Sequence, residues 1–140
     1  KLLNLFIFDN KYVIINITWK GKYMYNIVFY KDRNNKSEIE EYLIELQNRE
    51  DKDSRININK IISYIDMLSK YGLKIGSPYI KYLSDNIWEL RPIRNRILFT
   101  TYKNNTFILL TIFAKQTQKT PKQEIEKAMR YLRNFIERSE

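Results

Sequence analysis

The chain contains no cysteine and no histidine. The first absence excludes disulfides and points to an intracellular, cytoplasmic home. Together the two absences remove the usual zinc and soft-metal ligands, and with them the commonest general base. A magnesium site made of carboxylates alone stays open, but no Asp/Glu cluster suggests one, and no cofactor is expected. No apolar run is long enough to span a membrane. A secretory signal is not expected either, because Asp9 and Lys11 interrupt the early apolar stretch. Glycine and proline, at 3 residues each, fall at element boundaries. What remains for chemistry is Arg, Lys, Tyr, Asp and Glu.

The 140 residues suffice for one domain with a real core, and 44% apolar and 14% aromatic content argues for a folded protein. Net charge is +9, unevenly spread. Residues 24–70 carry 8 basic and 9 acidic side chains, whereas residues 71–140 carry 13 and 6. Between Lys74 and Lys122 only Asp85 and Glu89 oppose nine basic residues. Such asymmetry is the footprint of a surface that binds polyanions, here nucleic acid or the ribosome. A general solubility charge is the plainer alternative.

Residues 1–23 stand apart. LFIF, Asp9-Asn10-Lys11 and YVIINITW read as strand, turn and strand. Lys20-Gly21-Lys22-Tyr23-Met24 must, however, be encoded AAR-GGN-AAR-TAY-ATG. Its first two codons resemble a bacterial ribosome-binding site placed before a start. Residues 1–23 are therefore expected to be translated leader or an N-terminal extension, with one domain over residues 24–140. A genuine hairpin extending the sheet is the alternative.

From Met24 the pattern reads β, αα, βββ, α, an α+β domain. Tyr25–Tyr30 is a strand. Ser37 and Glu40 form a capping box ahead of a helix whose inner face is Ile39, Tyr42, Leu43 and Leu46. A loop is expected over Asn48–Ser54. A second helix follows, with Ile58, Ile61, Ile62, Ile65 and Leu68 inward and Gly72 as its stop. The two helices make an antiparallel hairpin. Past Gly76-Ser77-Pro78, strands are expected at Ile80–Leu83, Ile87–Arg91, Arg94–Tyr102 and Phe107–Lys115, with Trp88 in the core. Thr120 is expected to cap a last helix, with Pro121 at its first position and Ile125, Ala128, Met129, Leu132 and Phe135 facing the sheet.

The last hairpin carries the candidate site. A two-residue turn at Asn104-Asn105 sets Arg94 opposite Lys115 and Arg96 opposite Phe113, with Arg94, Arg96 and Lys115 on one face. Like charges directly opposed destabilise a sheet, so an anion between them is the better explanation. Alternate residues on a strand lie about 6.6 Å apart, comparable to neighbouring phosphates of a single strand. Both side chains reaching into water is the competing reading. Lys119 and Lys122 flank the start of the last helix, where free N–H groups and the dipole add to a phosphate site or serve only as a cap. Tyr102, at the hairpin tip, can stack on a base or pair across the strand with Phe107.

These residues resemble a known family. Trp88-Glu89-Leu90-Arg91, Arg96-Ile97-Leu98-Phe99 and Phe113-x-Lys115-x-Thr117-Gln118-Lys119-Thr120-Pro121 are similar to the HigB-type toxins. These belong to the RelE/ParE superfamily of bacterial toxin–antitoxin systems, which includes phage-derived members. The likeness runs from Met24 to the C-terminus and includes Asp53-Ser54-Arg55 and Gly76-x-Pro78. It implies a RelE-like fold: an N-terminal strand, a helical hairpin, an antiparallel sheet and a C-terminal helix. It also implies a ribosome-dependent mRNA endonuclease that works without metal, the ribose 2′-OH attacking the adjacent phosphate. By that resemblance Arg96 stabilises the phosphate, and Lys115 contacts it or moves a proton. Arg91 is a site residue or the partner of Glu89 in an ion pair. Two departures stand out: Gln116 replaces a second basic residue, and Thr111 lies near the place of a frequent histidine. A lysine of lowered pKa, Tyr102 or a ribosomal RNA group is then left as the base. The implied partners are a helix-turn-helix, HigA-like antitoxin, the ribosome with its mRNA, and operator DNA through the antitoxin complex. A ParE-like gyrase poison and a non-catalytic co-repressor subunit are the rival readings.

Overall fold

A computed structural model describes residues 24–139 throughout, together with the backbone of Asn4–Phe8 and Lys11–Asn16. Those two early segments are strands β1 and β2, paired antiparallel in a sheet of their own. They do not extend the main sheet, as one reading had it. The reading of residues 1–23 as leader concerns residues whose side chains lie outside the described set.

The main elements follow the expected order. Strand β3 spans Asn26–Phe29, helix α1 Glu38–Asn48 and helix α2 Lys52–Tyr71. Strands β4 (Ile80–Ser84), β5 (Ile87–Leu90), β6 (Asn95–Tyr102) and β7 (Thr106–Ala114) come next, then helix α3 (Lys122–Ser139). Ser37 caps α1, its hydroxyl accepting from the Glu40 amide at 3.1 Å. The loop expected over Asn48–Ser54 is shorter, because Asp51 already caps α2. Its carboxylate accepts from the Ser54 amide and hydroxyl, each at 2.9 Å, which pulls Asp53 and Ser54 into the helix. Those bonds, the backbone one first, also hold the Asp51 pKa below its usual value. Gly72 ends α2 at a φ of +65°, and a Cβ there would come within 2.6 Å of the Tyr25 ring. Only glycine meets both conditions.

The sheet runs β3-β7-β6-β5-β4. Neighbours from β4 to β7 are antiparallel as expected, whereas β3 joins β7 in parallel, so the sheet is mixed. The β6–β7 register has two departures that cancel. Tyr102 pairs with Thr106, leaving a three-residue connection with Asn104 and Asn105 both at positive φ. A bulge between Leu98 and Phe99 then restores the expected partners, so Arg96 does face Phe113.

Alternation gives the sheet two faces. Ile97, Phe99, Leu90, Phe107 and Leu109 pack with Ile39, Leu43, Leu46, Ile58, Ile61, Ile65 and Leu68 of the helical hairpin. Ile87, Leu98, Ile108 and Leu110 pack with Ala128, Ile125, Met129, Leu132 and Phe135 of α3. Both helical stripes are those read from the sequence, and Trp88 packs against the first core. Among the described residues no helix is long and apolar enough to cross a membrane.

Candidate functional site

Strand β5 turns Ile87 toward α3, and alternation sends Glu89 to the same side. Glu89 pairs with Leu98, and Leu98 with Thr111, so the three form one row across the sheet. Only 2% of Glu89 is exposed. A buried carboxylate costs several kcal/mol unless it is paired, so its surroundings must supply positive charge and donors. They do. Arg91 Nε lies 3.5 Å and Arg96 Nε 3.9 Å from Glu89 Oε1, while the Thr120 hydroxyl donates to Oε2 at 2.5 Å. The Arg91 contact is an ion pair without a hydrogen bond. In the same row the Thr111 hydroxyl is fully buried and has no partner among the described residues.

Arg96 is fixed from its other end as well. Its Nη1 donates to the carbonyls of Ile93 at 3.0 Å and Asn95 at 2.8 Å. Burial lowers its pKa most; Glu89 and Tyr64 oppose that shift, and Arg91 adds to it. A guanidinium starts from so high a value that the charge stays. The carbonyls it holds belong to a tight loop. The Ile93 amide donates to the Arg91 carbonyl at 2.8 Å, and the Asn95 amide to Pro92 at 3.1 Å. Ile93 sits at a φ of +55°, although it is β-branched. That geometry costs about 1–3 kcal/mol and persists only where its surroundings impose it.

Arg94 and Lys115 are brought together at the end of the hairpin, where the Lys115 amide donates to the Arg94 carbonyl at 2.7 Å. Both are exposed. They line an open depression of about 630 Å³ between the hairpin end and the α1–α2 connection, with Tyr42, Arg49, Asn57 and Ile93 also on its walls. Arg94, Arg96 and Lys115, expected on one face as a phosphate clamp, are therefore divided. Arg96 is buried with Glu89 on the α3 side, and the other two lie beside the helical hairpin. The reason is that β6 begins at Asn95 and β7 ends at Ala114. Arg94 and Lys115 fall outside the regular alternation, and the turn at Ile93 redirects the chain.

The remaining candidates are spread out. Lys119 is exposed in the segment before α3, its carbonyl accepting from the Thr117 hydroxyl at 2.7 Å. Lys122 is exposed as the first residue of α3. Thr120 was expected to cap that helix; its hydroxyl proton goes to Glu89, tying this segment to the arginine pair. Tyr102 does not pair with Phe107 but faces Thr106, because the connection is one residue longer than expected. Its ring meets Phe135 edge-on at 5.2 Å, and it lies on the order of 20 Å along the strand from Arg96. No group of three or more acidic side chains among the described residues could hold a metal ion.

The sequence reading named Glu89 only as a partner for Arg91 and so missed it as the centre of the cluster. The signal was present: Glu89 alternates with apolar Ile87 on a strand, which points an acid inward and demands partners. Arg91 proves to be that ion-pair partner.

A family profile described as phage-derived protein Gp49-like (DUF891) matches residues 41–133. The match runs from within α1 through most of α3, including the whole arginine cluster, and the chain belongs to this family. The family is related to the RelE-type toxins of toxin–antitoxin systems, and the fold is consistent with that relation. No curated protein matches the chain.

Proposed function

Because the chain is a Gp49-like protein, we propose that it is the toxin of a type II toxin–antitoxin system, a HigB-type, ribosome-dependent mRNA endonuclease. The observation that supports this reading is the buried Glu89, which holds the guanidiniums of Arg91 and Arg96, joined through the loop of residues 91–94 to a second, exposed pair of cations, Arg94 and Lys115. In-line attack of a 2′-OH on its neighbouring phosphate develops negative charge at phosphorus. Guanidiniums held in advance stabilise that charge without reorganising during the reaction. Arg96 and Arg91 serve the phosphorane in this reading. Arg94, Lys119 and Lys122 hold flanking phosphates, and Lys115 contacts phosphate or moves a proton. The ribosome positions the message, supplying the orientation that a small open site lacks. The partner is a HigA-like helix-turn-helix antitoxin encoded beside the toxin, and the complex binds operator DNA through it. The site of action is the cytoplasm.

The test is to induce the protein in a bacterium and map the 5′ ends of cellular RNA. New ends phased with codons in translated messages are expected. Supercoiling defects without new ends would support a ParE-like gyrase poison, and neither effect would support a co-repressor subunit.

A further inference from the structure

We propose that the depression beside Ile93 is a nucleobase subsite, a reading that rests on single-stranded RNA being the substrate. Ile93 is the starting point. It is β-branched, holds a positive φ and leaves 52% of its surface exposed. The apolar cores gain nothing from a side chain in that position, and a turn alone would be served better by glycine or asparagine. Its carbonyl is gripped by Arg96, so the arginine that anchors on Glu89 also holds Ile93 in place. Strain of this kind marks residues kept for a contact made outside the fold.

The surroundings define the contact. Ile93 and Leu46 give the depression apolar wall, and Asn57 gives it an amide. Its volume of about 630 Å³ lies within the range of ligand pockets, ~300–1,000 Å³. Arg49, Arg94 and Lys115 line the same depression, opposite the carboxylates of Asp51 and Asp53, of which Asp51 is engaged by Ser54. Cations beside an apolar wall and an amide suit a nucleotide: phosphate on the cations, base against Ile93, and base edge toward Asn57. A bare phosphate would use the cations and leave Ile93 and Asn57 idle. The loop Arg91–Arg94 is shared with the Glu89 cluster, so a strand whose scissile phosphate sits at Arg91 and Arg96 can place an adjoining base here.

The test uses the full chain and two short oligonucleotides with 2′-O-methyl sugars, which cannot be cut by 2′-OH attack. One carries bases; the other has abasic spacers on the same phosphate backbone. Binding is read by fluorescence anisotropy. The wild-type protein is expected to bind the base-bearing strand about tenfold more tightly. Ile93→Asn, which suits a positive φ, is expected to erase that preference with no loss of thermal stability and no change toward the abasic strand. Ile93→Gly serves as the second variant. Equal wild-type affinity for the two strands would overturn the subsite, as would a preference retained in both variants. The outcome is independent of cleavage: a preference for bases without codon-phased cuts would sink the nuclease reading and leave the subsite standing.

Discussion

The two faces of the sheet are built on different principles. Against the helical hairpin the helices contribute mostly aliphatic side chains, with Leu43, Ile61, Ile65 and Leu68 at 0% exposure, packed on strand residues that include Phe99 and Phe107. Against α3 the helix contributes a single fully buried residue, Ala128. That face is completed by polar and aromatic contacts. Lys127 Nζ meets Glu38 at 2.9 Å, the Tyr131 hydroxyl donates to Glu38 at 2.7 Å, and the Tyr30 hydroxyl donates to Asn134 at 2.7 Å. Tyr30 and Tyr131 stack at 4.6 Å. The α3 face also houses Glu89, Arg96 and Thr111, all buried and polar. One face is built of apolar contacts, and the other carries the cost of buried charge at the candidate site. Substitutions on the two faces should therefore separate folding from function.

The largest loss of stability is expected on the hairpin face. Ile61→Ala should cost about 3–4 kcal/mol, because the void cannot collapse among fully buried neighbours. Urea denaturation checks it, and toxicity should fall only in proportion to the folded fraction. Glu89→Gln comes next. Losing the carboxylate leaves two arginines unpaired, and about 3 kcal/mol is expected. Here toxicity should fall further than the unfolded fraction explains; a drop that matches unfolding would make Glu89 purely structural. Arg96→Lys keeps the charge but loses the planar fork that spans Glu89 and two carbonyls. It should retain a native circular dichroism spectrum and lose at least about tenfold in activity, or about 1.4 kcal/mol of transition-state stabilisation.

The smallest effect concerns the α3 face alone. Burial, and then the bond to Glu38, raise the Tyr131 pKa. The unfolded value is about 10. The resulting stability is present below pH 10 and drains as pH rises above it, since the unfolded chain then loses its proton first. Tyr131→Phe should cost about 1 kcal/mol at neutral pH and flatten the alkaline decline in thermal stability. An unchanged alkaline slope would remove Tyr131 from that balance.

The element order was legible because each element carries its own local signal. Ser37 and Glu40 opened α1, Gly72 closed α2, and Asn104-Asn105 marked the hairpin end. The parallel seating of β3 beside β7 was not legible, because a strand of four residues carries too little pattern to state its partner. Part of the candidate site's geometry could be read. Strand alternation brought Arg96 opposite Phe113, though only because a longer connection and a bulge compensate for each other. The turn at Ile93 could not be read, since a β-branched residue argues locally against positive φ. That one turn separates Arg94 from Arg96 and decides which cations share a surface.

The most direct test of the proposed activity is cleavage of a defined message on purified ribosomes, comparing wild type with Arg96→Lys at equal folded concentration. Wild type is expected to cut at codon boundaries only when ribosomes are present, and the variant at least about tenfold more slowly. An uncut message, or equal rates for the two proteins, would contradict it.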